Sequence, residues 1–146
     1  EAIETADVVC HAGDFTSSAS LATFESLADT LVAVHGNADA VPVREQLPAT
    51  ATVEHLGRRV LVVHGHEHDR TNLSFLARQE GADLVVVGHT HRPGIEKEGD
   101  RVIVNPGSHA DPRGSRPAYV SVGQADGTVF GRLRTPDGEP VERVVL

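Results

Sequence analysis

Tryptophan is absent from this 146-residue sequence, tyrosine occurs once, and aromatic residues amount to only 3%. A stacking platform for single-stranded nucleic acid needs rings in series, so that class of function is excluded. Lysine occurs once, as Lys97, and 13 basic residues face 21 acidic ones for a formal charge of −8. Binding along a phosphate backbone depends on Lys and Arg displacing counterions, and this balance argues against it. The same shortage leaves no basic amphipathic face for a membrane surface. No apolar run approaches the ~20 residues that span a bilayer, and no signal-like apolar stretch is visible. Cys10 is the sole cysteine, so no internal disulfide can form and a reducing, cytoplasmic setting is expected. Its thiol reads as a small hydrophobe on a buried strand.

What is present fits one folded domain over 1–146, with 39% hydrophobic and 23% charged residues. The run Asp7-Val8-Val9-Cys10 predicts a strand that stops at Gly13-Asp14. Ser17 and Ser18 open a helix with Leu21, Phe24, Leu27 and Ala28 at three- and four-residue spacing. Residues 31–34 form the next strand, and Pro42 and Pro48 bracket a short turn or helical piece. A hairpin is expected over 52–63 with Gly57-Arg58 at its tip. Its second strand, Val60-Leu61-Val62-Val63, lacks polar alternation and should be covered on both faces, as should 84–87. Between them a helix capped by Thr71 or Asn72 carries Leu73, Phe75, Leu76 and Ala77 and ends at Gly81. Short strands then follow at 94–98, 101–104, 117–123, 127–134 and 139–145. The pattern predicts a layered α/β fold whose second sheet is largely antiparallel.

The nine histidines are informative through their placement. Four apolar strands each end in a glycine-containing loop with a metal-capable side chain: Asp14, Asn37, His64, and His89 with His91. Ligands of open α/β sheets sit outside the carboxyl ends of the strands, so strands lying side by side would bring these groups together. Carboxylate, amide oxygen and imidazole suit Mn, Fe, Zn or Co better than a thiolate-preferring metal. Singly, Asp14 reads as well as a turn or cap residue and Asn37 as a left-handed turn residue. Alternate residues of an extended loop would turn at most one of His89 and His91 toward the core. His11, His35, His55, His68 and His109 are read as surface or supporting histidines.

Taken in order, Gly13-Asp14, Gly36-Asn37-x-Asp39, His64-Gly65-His66, Gly88-His89-Thr90-His91 and Asn105-Pro106-Gly107-Ser108 with Pro112-Arg113 resemble the calcineurin-like metallophosphoesterases. Within that superfamily they are most similar to the small phosphodiesterase branch typified by YfcE-like proteins. The resemblance implies a four-layer α-β-β-α sandwich and a phosphodiesterase with two divalent ions, Mn foremost and Ni, Fe, Zn or Co as alternatives. Asp14 would bridge the ions, Asn37, His64 and His89 would complete one, and His91 would bind the other. A hydroxide held between the ions would attack phosphorus in line. Asn37, Ser108 and Arg113 would contact a small phosphodiester substrate, and His66 would contact it or donate a proton. Homo-oligomerisation stays open.

Two departures stand out. Relatives open with a strand carrying Asp-x-His, a pattern that these 146 residues lack. The expected fold therefore lacks that N-terminal strand, and one ion keeps only Asp14 and His91. Ala38 stands where many relatives place a histidine that protonates the leaving group, which favours diesters or activated leaving groups. Two other readings remain open: a non-catalytic scaffold of this fold that binds a protein partner, and a metal-binding module without turnover.

Overall fold

The computed structural model describes residues 2–108 and 114–146. A single helical turn, α1 (Ala2–Thr5), precedes the first strand. There follow β1 (Val9–His11), α2 (Ser18–Leu27), β2 (Leu31–Ala33), α3 (Val41–Gln46), β3 (Thr50–His55), β4 (Arg58–Val63), α4 (Arg70–Glu80) and β5 (Leu84–Val87). Five strands finish the fold: β6 (Gly94–Glu98), β7 (Arg101–Asn105), β8 (Tyr119–Ala125), β9 (Thr128–Arg134) and β10 (Pro140–Val145).

Among the described residues the strands form three sheets. A five-stranded sheet has the order β3-β4-β5-β7-β6, with β4, β5 and β7 parallel and the two edges antiparallel. β1 and β2 form a parallel pair, and β10-β9-β8 form an antiparallel sheet. The four strands that carry the site motifs thus belong to two sheets, not to one side-by-side set. In-register pairing of Val63 with Val87 and of His11 with Ala33 brings the carboxyl ends level within each pair.

Strand periodicity accounts for the layers. Val60 and Val62 point one way with Leu84, Val86, Val102 and Val104, and pack against Cys10 and Val32 of β1 and β2 and Val120 and Val144 of the antiparallel sheet. Leu61, Val63, Val85 and Ile103 point the other way, onto Leu73 and Ala77 of α4. Phe15, Leu21 and Phe24 close the opposite side with Ala33 of β2 and Val43 of α3. The result is the four-layer α-β-β-α order, with β4 and β5 covered on both faces as their unbroken apolar runs required. Each fully buried Val or Leu there contributes about 1.5–3 kcal/mol. Burial raises the Cys10 thiol to about 11, so it stays protonated and behaves as a hydrophobe.

Several local features differ from expectation. α4 is capped by Asp69, whose side chain accepts the Asn72 N–H at 2.8 Å, rather than by Thr71 or Asn72. Phe75 is 65% exposed, because Leu73, Leu76 and Ala77 share the buried stripe and a residue two places on lies off it. The hairpin tip is Leu56-Gly57, both with positive φ (51° and 70°). That is the type I′ geometry that matches strand twist, and it places the turn one residue early. No helix among the described residues is long and apolar enough to cross a membrane.

Candidate metal centre

The loops after β1, β2, β4 and β5 meet at the carboxyl ends of the two parallel pairs. Ala12, Val34 and Val63 bury the base of the first three loops, so the polar residues that follow emerge at one place. Gly88 N–H donates to His64 O at 3.0 Å and Val34 N–H to His11 O at 3.2 Å, extending each pairing into its loop.

His64 lies at the centre and is 2% exposed. Its Nδ1 lies 2.7 Å from the carbonyl of Ala12. A carbonyl can only accept, so Nδ1 carries a proton, and in the neutral ring Nε2 is the bare nitrogen. Burial pushes the His64 pKa down, against opposing pulls from the Ala12 carbonyl and Asp14, and the neighbouring His66 and His89 push it further down. Yet Nε2 faces Asn37 Oδ1 at 2.8 Å and Asp14 Oδ2 at 3.3 Å. In the neutral ring the carboxylate oxygen stands opposite a lone pair, a contact that a proton or a cation at Nε2 relieves.

His89 Nδ1 approaches the same Asn37 Oδ1 at 3.1 Å, and His91 Nε2 lies 3.9 Å from Asp14 Oδ2. His89 and His91 have φ values of 65° and 59°, so the loop is not extended as expected. Two left-handed residues flank Thr90 and turn both imidazoles inward. Asn105 supports that loop: its Nδ2 donates to Gly88 O and Thr90 Oγ1, each at 3.0 Å, while its Oδ1 accepts Gly107 N–H at 2.9 Å.

Asp14 also has positive φ (62°). Its Oδ1 accepts the Ala38 N–H at 2.9 Å, leaving Oδ2 to face His64 and His91. Ala38, which lacks a useful side chain, thus orients Asp14 through its backbone. Asp39 is 3% exposed and joins the first two loops: its Oδ2 accepts the N–H groups of Asp14 at 3.0 Å and Gly36 at 2.7 Å, and its Oδ1 accepts that of Thr16 at 2.7 Å. Neither Asp39 nor Asn105 was assigned a role from sequence, although both sit inside the motifs and a carboxylate three residues after a glycine stop was the available signal.

The donor types fit a divalent ion. Ligands about 2.0–2.2 Å from one ion stand roughly 3 Å apart, which is the spacing of His64 from Asp14 and Asn37 and of His89 from Asn37. A cation would also relieve the lone-pair conflict at His64 Nε2. Among the described residues no three His, Cys, Asp or Glu side chains suffice to hold an ion, so the amide oxygen of Asn37 is needed to close the set.

The other expected residues are less central. The His66 ring is 5.2 Å from that of His64 and 6.2 Å from that of His89, and its Nε2 lies 3.4 Å from Glu67 Oε1. Ser108 is half-buried just beyond the Asn105–Gly107 turn. His109 and Arg113 lie outside the described residues. His35 and His68 each bury an Nδ1 with no hydrogen-bond partner among the described residues, and His55 lies 4.0 Å from Asp7.

Comparison with known proteins bears on this arrangement. The family model of the calcineurin-like phosphoesterase superfamily domain matches residues 1–127. A probable metallophosphoesterase of Methanothermobacter thermautotrophicus is 34% identical over 146 residues, covering 98% of this chain and 83% of that protein. The phosphodiesterase YfcE of Escherichia coli is 32% identical over 125 residues, covering 82% of this chain and 65% of YfcE. Among solved structures, a mutant of Vps29 from Entamoeba histolytica superposes with a TM-score of 0.82 at 23% identity, covering 99% of this chain and 86% of that one.

Proposed function

This chain belongs to the calcineurin-like phosphoesterase superfamily, and from that premise we propose that it is a metal-dependent hydrolase of small phosphodiesters. The observation that carries the reading is the convergence of Asn37 Oδ1, at 2.8 Å, and Asp14 Oδ2, at 3.3 Å, on His64 Nε2, a donor set that suits a divalent cation. Phosphodiesterase YfcE supports the substrate class.

Asp14, Asn37, His64 and His89 would hold one ion, and Asp14 with His91 would contribute to a second. Mn(II) is the ion proposed first. Such ions supply Lewis acidity, lowering the pKa of water and neutralising charge on the phosphoryl oxygens. The chain's part is positional. The Ala38 N–H aims Asp14, the Ala12 carbonyl sets the His64 tautomer, and Asn105 holds the turn that presents His89 and His91. His66 borders the cluster and is the residue proposed to meet the substrate or protonate its leaving oxygen. Ser108 and Arg113 are proposed phosphate contacts. With Ala38 offering no proton, diesters with stable leaving groups are the expected substrates.

The test is metal stoichiometry after Mn(II) reconstitution, beside hydrolysis of bis(p-nitrophenyl) phosphate with and without EDTA. We expect bound Mn(II), EDTA-sensitive turnover, and loss of both by orders of magnitude in His89→Ala. Bound ion without turnover would point to a metal-binding module. Neither ion nor turnover would overturn the reading and leave a partner-binding scaffold on this fold.

A further inference from the structure

We propose that His11 is a positioning residue: its ring nitrogen holds the main chain at Gly13 and so sets the angle at which Asp14 enters the metal centre. The inference rests on the metal reading for its consequence, and on the local geometry for its cause.

Gly13 and Asp14 are successive residues with φ of 98° and 62°, a backbone that L residues rarely adopt. It persists here because both amides are bonded to side chains. Asp14 N–H donates to Asp39, and Gly13 N–H donates to His11 Nδ1 at 3.1 Å. An imidazolium has no lone pair, so the ring must be neutral with its proton on Nε2. The surroundings enforce that state. Phe15 stacks on the ring at a centroid distance of 3.7 Å with 18° between planes, and Phe24 meets it edge-on at 4.7 Å. Burial lowers the His11 pKa to about 4, although Asp39 and Asp14 pull it upward.

Those rings also fix direction. Phe15 follows Asp14 directly, and Phe24 comes from α2, so one aromatic cluster grips β1, the Asp14 turn and the helix. With the Gly13 amide held, the Asp14 carboxylate reaches Ala38 N–H through Oδ1 and the imidazoles through Oδ2. A phenylalanine at position 11 would keep the stack and lose the acceptor. An asparagine would keep an acceptor near the same place and lose the ring.

The experiment compares His11→Phe and His11→Asn in the full chain. It reads Mn(II) affinity by calorimetry, Gly13 amide exchange and the Asp14 carboxyl shift by NMR, and the metal-free melting temperature. Loss of a group that orients a ligand typically costs about 10–100-fold in metal affinity. We expect that loss in His11→Phe, with faster Gly13 exchange and a melting temperature lowered by a few degrees as one part-buried donor loses its acceptor. We expect His11→Asn to melt lower yet keep the Gly13 amide protected and the affinity near wild type. Wild-type affinity in His11→Phe, or an equal loss in both variants, would overturn the proposal. Should His11→Phe fail to fold, His11→Asn alone decides, retained affinity supporting and lost affinity refuting. A wild-type chain that bound no Mn(II) would sink the metal reading instead, and Gly13 exchange with the Asp14 shift would then decide the role of His11.

Discussion

Replacing Gly36 with alanine tests the packing of the metal centre with one methyl group. A Cβ built on Gly36 would lie 2.7 Å from Asp14 N and 2.8 Å from His64 Cε1, and closer still to Asp14 Oδ1. Non-bonded contacts to carbon are comfortable at about 3.5–4.0 Å, so each neighbour must retreat by most of an ångström. None can do so freely. Asp14 N is tied to Asp39, and His64 is buried and tied to Ala12. The side chain of Asp14 is the part that can swing away, losing the Ala38 N–H bond and its place beside His64. Gly36 does not have positive φ, so the backbone tolerates alanine and the penalty is overpacking, about 1–3 kcal/mol. A protein of this size loses about 3 °C per kcal/mol, so the melting temperature should fall by roughly 3–9 °C. Mn(II) binding and diesterase rate should fall far more, because the displaced atoms are the proposed ligands themselves. Gly123→Ala is the control, since a Cβ there meets nothing within 4 Å. Thermal melts and Mn(II) calorimetry on both variants give the result. Wild-type Mn(II) affinity in Gly36→Ala would refute the packing reasoning.

Two further outcomes follow from the same loops. Because the folded-state pKa of His11 is lowered from 6.5 to about 4, the unfolded chain binds this proton first as pH falls. Its contribution is therefore intact above pH 6.5 and declines steadily down to about 4, on the order of 3 kcal/mol in all. Urea titrations of the metal-free protein across that window should show a steeper loss for wild type than for His11→Phe, and equal slopes would count against a neutral buried ring. Asp39→Asn should cost about 3 kcal/mol, since an amide cannot accept all three N–H groups and leaves a buried donor unpaired. A melting temperature unchanged from wild type would show that the three bonds contribute little.

The strands, the helix stripes and the glycine stops were legible because they are local: apolar runs and turn residues act within a few positions of themselves. The same locality exposed Asp14, Asn37, His64, His89 and His91 at the carboxyl ends of strands. Their mutual arrangement was not local. The Ala12 carbonyl sets the His64 tautomer from 52 residues away, and Asp39 orients the Asp14 amide from 25. No periodicity encodes a hydrogen bond across two sheets. The inward turn of both His89 and His91 was likewise hidden, since positive φ at a histidine is sustained by surrounding contacts rather than by propensity. Phe75 stands off the buried stripe, turned outward by helix geometry despite its hydrophobic character. By itself, then, the sequence determined which groups stand at the ends of the strands. Only the tertiary structure decided which oxygen meets which nitrogen, because that depends on contacts between layers joined by no nearby stretch of chain.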